Sequence, residues 1–358
     1  MTAAATDANG KGEYNPAMGR RLVRLFCAAF WLMPVMAWGA SPAAPVFLAF
    51  LNAPHGRAPL RVPPRLLVSF GGSSFAAVMD TGSTGIVISA TAIPDVTDLP
   101  GPPGFLEYSS SGRIERGRWV ETPVTILGAN GRHVMTRPIR VLAVTRVDCV
   151  PHARNCTVRI MPRHVAMLGV GFGREADHQP DSTPDRNPFL TIAGPRPPWR
   201  GYIVTRQGVT IGLDPSISRG FATIQLARSR LFPDWDQAPA CIALAGAPPA
   251  CGVALMDTGV VVMYLSVPFV PLSAADPADA PSLRPGTRLA ISLPAPGSAA
   301  ASYAITVGGP PSALDPDKVI LVPHRSTFVN TTPRFLNGFD YLFNDSLGVV
   351  GFRPDRSD

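Results

Sequence analysis

The chain has 358 residues, 46% apolar and 16% charged, with 40 Pro and 33 Gly spread between short apolar runs. That length and composition exclude a disordered chain and allow two domains with proper cores. The net charge of +7 comes mostly from scattered arginines, without a basic run or interleaved aromatics, which speaks against a nucleic-acid-binding surface.

Residues 1–17 are polar, and Met18 is a candidate start. Arg20, Arg21 and Arg24 then precede an apolar stretch at 25–38, broken by Pro34. It is too short for an ordinary spanning helix and reads as a secretory signal within 18–40. Small residues in Ala37-Trp38-Gly39 suit cleavage, and an uncleaved N-terminal anchor is the alternative. Residues 41–64 are Pro-rich and read as a linker or an added edge segment. Strand-like runs follow at 66–70, 75–79, 85–89, 120–127, 139–144 and 167–170. Residues 177–187 read as an exposed loop and 188–193 as a short helix. Residues 208–225 carry the chain from one half to the other. Further strands are expected at 222–226, 241–244, 253–256, 260–265, 289–293, 303–307, 319–322 and 349–352. The expectation is an all-β protein with many turns.

Five cysteines occur. Cys27 lies in the signal segment. The other four allow three pairings, and the local pairs Cys149–Cys156 and Cys241–Cys251 are favoured because each brackets a short loop. Disulfides imply an oxidising compartment. Zinc lacks support, since neither Cys-x2-Cys nor a His pair is present. His55, His133, His152, His164, His178 and His324 stand at no ligand spacing, so no metal and no cofactor are expected. No Gly-x-Ser-x-Gly elbow occurs either.

One pattern occurs twice. Ala76-Ala77-Val78-Met79 leads into Asp80-Thr81-Gly82-Ser83, and Ile86-Val87-Ile88 follows. Val253-Ala254-Leu255-Met256 leads into Asp257-Thr258-Gly259, and Val260-Val261-Val262-Met263 follows. A buried strand, a tight turn and a second buried strand thus recur about half a chain apart. Matching turns on two lobes would bring two carboxylates together. A close carboxylate pair cannot ionise twice cheaply, so it shares a proton and can activate a water.

With these residues the chain resembles the pepsin-like, two-lobed (A1-type) aspartic proteases, over about 66–352. Met167-Leu168-Gly169-Val170-Gly171-Phe172 is similar to the segment that passes under the first active-site loop. Gly201-Tyr202-Ile203-Val204 and Gly208-Val209-Thr210-Ile211-Gly212-Leu213-Asp214 resemble the strands leading out of the first lobe. Phe335-Leu336-Asn337-Gly338-Phe339-Asp340-Tyr341 and Gly348-Val349-Val350-Gly351-Phe352 resemble the closing segment. The resemblance implies a bilobal all-β fold with the site in the cleft. The expected divisions are 1–40, 41–212 carrying Asp80, and 213–358 carrying Asp257. It implies a secreted or periplasmic, bacterial-type endopeptidase, monomeric, acting on extended polypeptide whose side chains fill apolar pockets. A membrane would be met only through an uncleaved signal, and no pro-segment is expected. Asp80 and Asp257 would be catalytic, Gly82 and Gly259 would let the turns close, and Thr81 and Thr258 would tie the loops together. Ser83 would bond Asp80, whereas Val260 offers Asp257 no hydroxyl and would leave the pair asymmetric. Tyr108, before Ser109-Ser110-Ser111-Gly112, would stand on a closing hairpin, nearer Asp80 than in well-known members. The alternative is a weak or inactive binding or inhibitory protein of the cell envelope with the same fold.

Overall fold

A computed structural model describes residues 43–355 apart from 152, 154–155, 176, 178, 196, 280, 309–311 and 323–325. The signal segment with Cys27, and His152, His178 and His324, lie outside the described residues.

Short, turn-separated apolar runs fold as strands throughout. Among the described residues the only helical turns are 3-10 segments at Ala90–Ala92, Pro184–Arg186 and Pro333–Asn337. The strands form three sheets. One, of ten strands, lies between Arg65 and Val170, and another, of seven, lies between Ala238 and Asn330. The third is an antiparallel sheet of six, in the order Val46–Ala49, Gly208–Leu213, Trp199–Val204, Phe339–Asn344, Val349–Pro354, Ala222–Gln225. It recruits strands from the start, middle and end of the chain, and the Pro-rich 41–64 region supplies its edge strand. A continuous core joins all three sheets through residues such as Val68, Met79, Tyr202, Leu265, Val329 and Phe343. A smaller core of Val87, Leu106, Trp119, Leu142, Val144, Val147 and Val165 lies within the ten-stranded sheet.

The two turns carrying Asp80 and Asp257 are built alike. Ser74–Asp80 and Thr84–Ser89 flank Ala166–Val170, which runs parallel to the first and antiparallel to the second. Ala250–Leu255 and Met263–Ser266 flank Phe328–Asn330 in the same manner. Each crossing strand lies beneath its turn. The first is braced by Tyr202, whose hydroxyl donates to Val170 O at 2.6 Å.

Residues 177–187 are not an exposed loop, and 188–193 do not form a helix. Gln179, Ser182, Arg186 and Asn187 are buried. The Asn187 amide donates to Val170 O at 2.7 Å, so this polar segment satisfies backbone groups of the crossing strand. Phe189 and Leu190 then enter the main core, in turns rather than a helix. Both local disulfides are formed: Cys149–Cys156 bridges 7 positions and Cys241–Cys251 bridges 10.

Candidate active site

Asp80 ends its strand and Asp257 follows Ala250–Leu255. Both are 4% exposed, and both line one cavity of about 370 Å³. Their carboxyl groups face each other closely enough for the charge of Asp80 to act on Asp257. The glycines make this approach feasible. A Cβ at Gly82 would lie 2.3 Å from the Asp257 carboxyl group, and one at Gly259 would lie 2.4 Å from that of Asp80. Any side chain at either position would displace the facing carboxyl group.

Thr81 and Thr258 lock the turns to each other. The Thr81 N–H donates to Thr258 Oγ1 and the Thr258 N–H to Thr81 Oγ1, each at 3.0 Å. The Thr81 hydroxyl donates to Met256 O at 2.5 Å, and the Thr258 hydroxyl to Met79 O at 2.7 Å. Each threonine thus satisfies two backbone groups of the opposite turn with one buried hydroxyl.

Asp80 accepts from Gly82 N–H at 2.6 Å and from the Ser83 hydroxyl at 2.5 Å. Asp257 accepts from Gly259 N–H at 2.7 Å. The bond that Val260 cannot make comes from elsewhere: Asn330 Nδ2 donates to Asp257 Oδ2 at 2.7 Å. The pair is therefore not short of a donor, and the asymmetry expected from Val260 becomes a hydroxyl on one side and an amide on the other. Asn330 pairs with Leu255, two residues before Asp257, as Met167 pairs with Val78, two residues before Asp80. It escaped sequence reading because it lies 73 positions from Asp257. The signal present was the polar residue in Phe328-Val329-Asn330-Thr331, where the corresponding strand in the first half carries Met167.

Burial holds the Asp257 carboxyl well above the usual carboxylate range, and the charge of Asp80 pushes it further, while the Asn330 and Gly259 donors oppose the rise. Burial thus favours the protonated form of Asp257. The arrangement can take a proton from one reactant atom and give one to another.

Pro103–Tyr108 and Arg113–Thr122 form a hairpin, with Tyr108 at the start of its turn. Tyr108 through Ser111 line the cavity with the two aspartates. Burial, followed by the charge of Asp80, pushes the Tyr108 hydroxyl well above its ordinary range. The tip is tied across the cleft, where Tyr264 Oη donates to Ser110 O at 2.8 Å. Sequence reading also missed Arg113, Glu115, Arg174 and Tyr264, which line the same cavity. These polar and charged groups stand beside apolar ones such as Val78, Met167 and Val262. Among the described residues no cluster of His, Cys, Asp or Glu could hold a metal ion, and no helix is long and apolar enough to cross a membrane.

No protein-family model matches this chain, and no curated protein does. Among solved structures, the aspartic proteinase from Irpex lacteus superposes with a TM-score of 0.52 at 12% identity, covering 87% of this chain and 97% of that one. At that identity the likeness concerns the fold: this chain has the bilobal, all-β, pepsin-like fold.

Proposed function

We propose that the protein is an aspartic endopeptidase that hydrolyses peptide bonds of extended polypeptides with a water activated between Asp80 and Asp257. The observation that carries the reading is the pair of buried carboxyl groups, lining one cavity and backed by glycines, on turns locked by Thr81 and Thr258. Asp80 takes one proton of the water as its oxygen bonds to the carbonyl carbon, and the Asp257 proton passes to the carbonyl oxygen. The resulting diol collapses when a proton reaches the nitrogen and the C–N bond breaks. The hairpin supports the reading by roofing the reacting atoms and limiting bulk water. Two disulfides, with the basic and apolar run before residue 40, support export to an oxidising compartment. We take the working form to be a monomer.

Purified protein should cleave peptides from a diverse library between about pH 3 and 7, a range spanning ordinary carboxyl pKa values. Asp80→Asn and Asp257→Asn should each lower cleavage by about a thousandfold, within the range for loss of a positioned acid or base. Folded wild type that cleaves nothing would make a polypeptide-binding protein of the same fold the better account.

A further inference from the structure

Buried polar side-chain atoms are nearly always hydrogen-bonded. Several without a partner line the cavity that holds the aspartates: Asn330 Oδ1, Glu115 Oε2, and both Nε and Nη1 of Arg174. Such clustering marks a place where a ligand supplies the missing partners.

Arg174 makes the strongest demand. It is 2% exposed, and it follows Gly173, whose N–H is held by Asp234 Oδ2 at 2.7 Å. Its Nη2 is tied to Asp177. The same Asp177 oxygen accepts from Ser109 Oγ on the hairpin turn at 3.3 Å, so the guanidinium is fixed against the roof of the cleft. A guanidinium does not shed its proton, so Nε and Nη1 remain N–H donors at any working pH. An apolar substrate side chain would seal them in without partners. An acidic one would satisfy them.

Glu115 is not itself a partner for an acidic group, because its ionised carboxylate only accepts, yet basic groups surround it. It is 1% exposed and its Oε2 is free, but Arg113 Nη2 already holds Oε1 at 2.7 Å, and Arg159 also acts on its charge. Arg113, Arg159 and His164 line a small adjoining pocket of about 120 Å³. The wall around Glu115 is thus basic and disfavours a cationic side chain, while Oε2 remains an acceptor for a peptide N–H or a hydroxyl.

We propose that the cleft contains an acidic subsite, in which Arg174, held by Asp177, receives the carboxylate of an Asp or Glu side chain of a polypeptide lying across the aspartate pair. The protein would then select acidic polypeptides rather than the apolar segments the fold resemblance implies. This rests on the endopeptidase reading for the fate of the peptide, but recognition does not require cleavage, and the two are tested separately.

The test uses peptide pairs that differ only by Glu or Gln at each position within four residues of the centre. Binding is followed by fluorescence anisotropy on the Asp80→Asn variant at pH 6, where a free Glu side chain is ionised. At one position Glu should bind at least tenfold more tightly than Gln. Adding Arg174→Gln should bring that ratio close to one. Arg174→Lys keeps the charge without the planar fork and should retain only part of the preference. At pH 3 the preference should vanish as the peptide carboxyl protonates. No position favouring Glu, or a Glu preference unchanged in both Arg174 variants, overturns the subsite. Wild type that keeps the preference but cleaves none of the peptides overturns the endopeptidase reading and leaves the subsite standing. Cleavage with no discrimination between Glu and Gln does the reverse.

Discussion

At Asp257, the hydrogen bond expected from the residue after the Asp-Thr-Gly turn arrives instead from Asn330 on the crossing strand. A bond to a charged acceptor is worth about 1.5–3 kcal/mol. If it is realised fully in the transition state, Asn330→Ala should lower kcat/KM by about ten- to a hundredfold. The pH profile should change as well. The Asn330 N–H favours the ionised carboxyl, so its removal raises Asp257 further, and the protonated acid persists to higher pH. The basic limb of kcat/KM should therefore move up in pH, which a merely structural role would not produce. Val260→Thr should gain little in the wild type, because Oδ2 already has its donor. It should recover activity mainly in the Asn330→Ala background, and a double-mutant cycle reads that coupling directly. Equal effects of Val260→Thr in both backgrounds would refute the substitution of amide for hydroxyl. Asp80, Thr81, Gly82, Ser83, Thr258 and Gly259 were legible because their partners lie within the repeated turn or in its copy. Asn330, Arg174 and Tyr264 were not, because each reaches the cavity through a strand pairing or loop path that local pattern does not encode.

The hairpin over the cleft shows the same limit for an element. The Tyr108 turn was visible as an aromatic beside a serine-rich turn, but of the second strand, Arg113–Thr122, only the end from 120 was expected, within a single run at 120–127 that the structure divides into two strands. The hairpin's first strand was not visible, since Gly101-Pro102-Pro103-Gly104 reads as punctuation. That strand exists because the pairing of Gly104 with Gly117 lays it over Trp119. A Cβ at Gly104 would come within 2.1 Å of the Trp119 indole nitrogen, so the glycine that hides the strand also permits it. The hairpin tip belongs to the ten-stranded sheet, while its tether Tyr264 belongs to the seven-stranded one. Tyr264→Phe removes that tether and little else. Amide exchange at 109–112 should quicken and KM should rise, while global stability falls by no more than about 1 kcal/mol, the net worth of one ordinary hydrogen bond. Unchanged exchange at the tip would show that the tether does not hold the roof.

Across the whole molecule, buried carboxyl groups set the response to pH. Burial raises Glu115, Asp234, Asp257 and Asp340 above their ordinary values, Asp234 to about 6. A raised carboxyl stabilises the fold fully below its unfolded pKa, and that contribution is lost as pH rises through the folded pKa. For Asp234 the window runs from its ordinary 3.8 to about 6. Asp148 and Asp214 are lowered and act in the opposite sense, but only at the acid end, below 3.8. The urea midpoint should therefore be higher near pH 4 than near pH 6.5. Asp234→Asn, which removes the titration, should flatten the change across that window. A midpoint that rises from pH 4 to 6.5 would contradict the assignment. On these shifts the fold should be firmest in mild acid, between the acid loss at Asp148 and Asp214 and the loss at Asp234.

The six-stranded sheet has a consequence for how this molecule could be divided. Trp199–Val204 lies between Gly208–Leu213 and Phe339–Asn344, and the edge strand Val46–Ala49 pairs with Gly208–Leu213. A break in the chain at 205–207, between the two halves that carry the aspartates, would leave each fragment with strands whose neighbours belong to the other. Neither fragment could complete the sheet, and neither would contain a pair of carboxyl groups. Co-expressed, the fragments would interleave their strands to satisfy their edges, and the locked turns would form only in the reassembled complex. Activity in such a split protein would report association of its halves, with the sheet farthest in sequence logic from the chemistry acting as the gate on it.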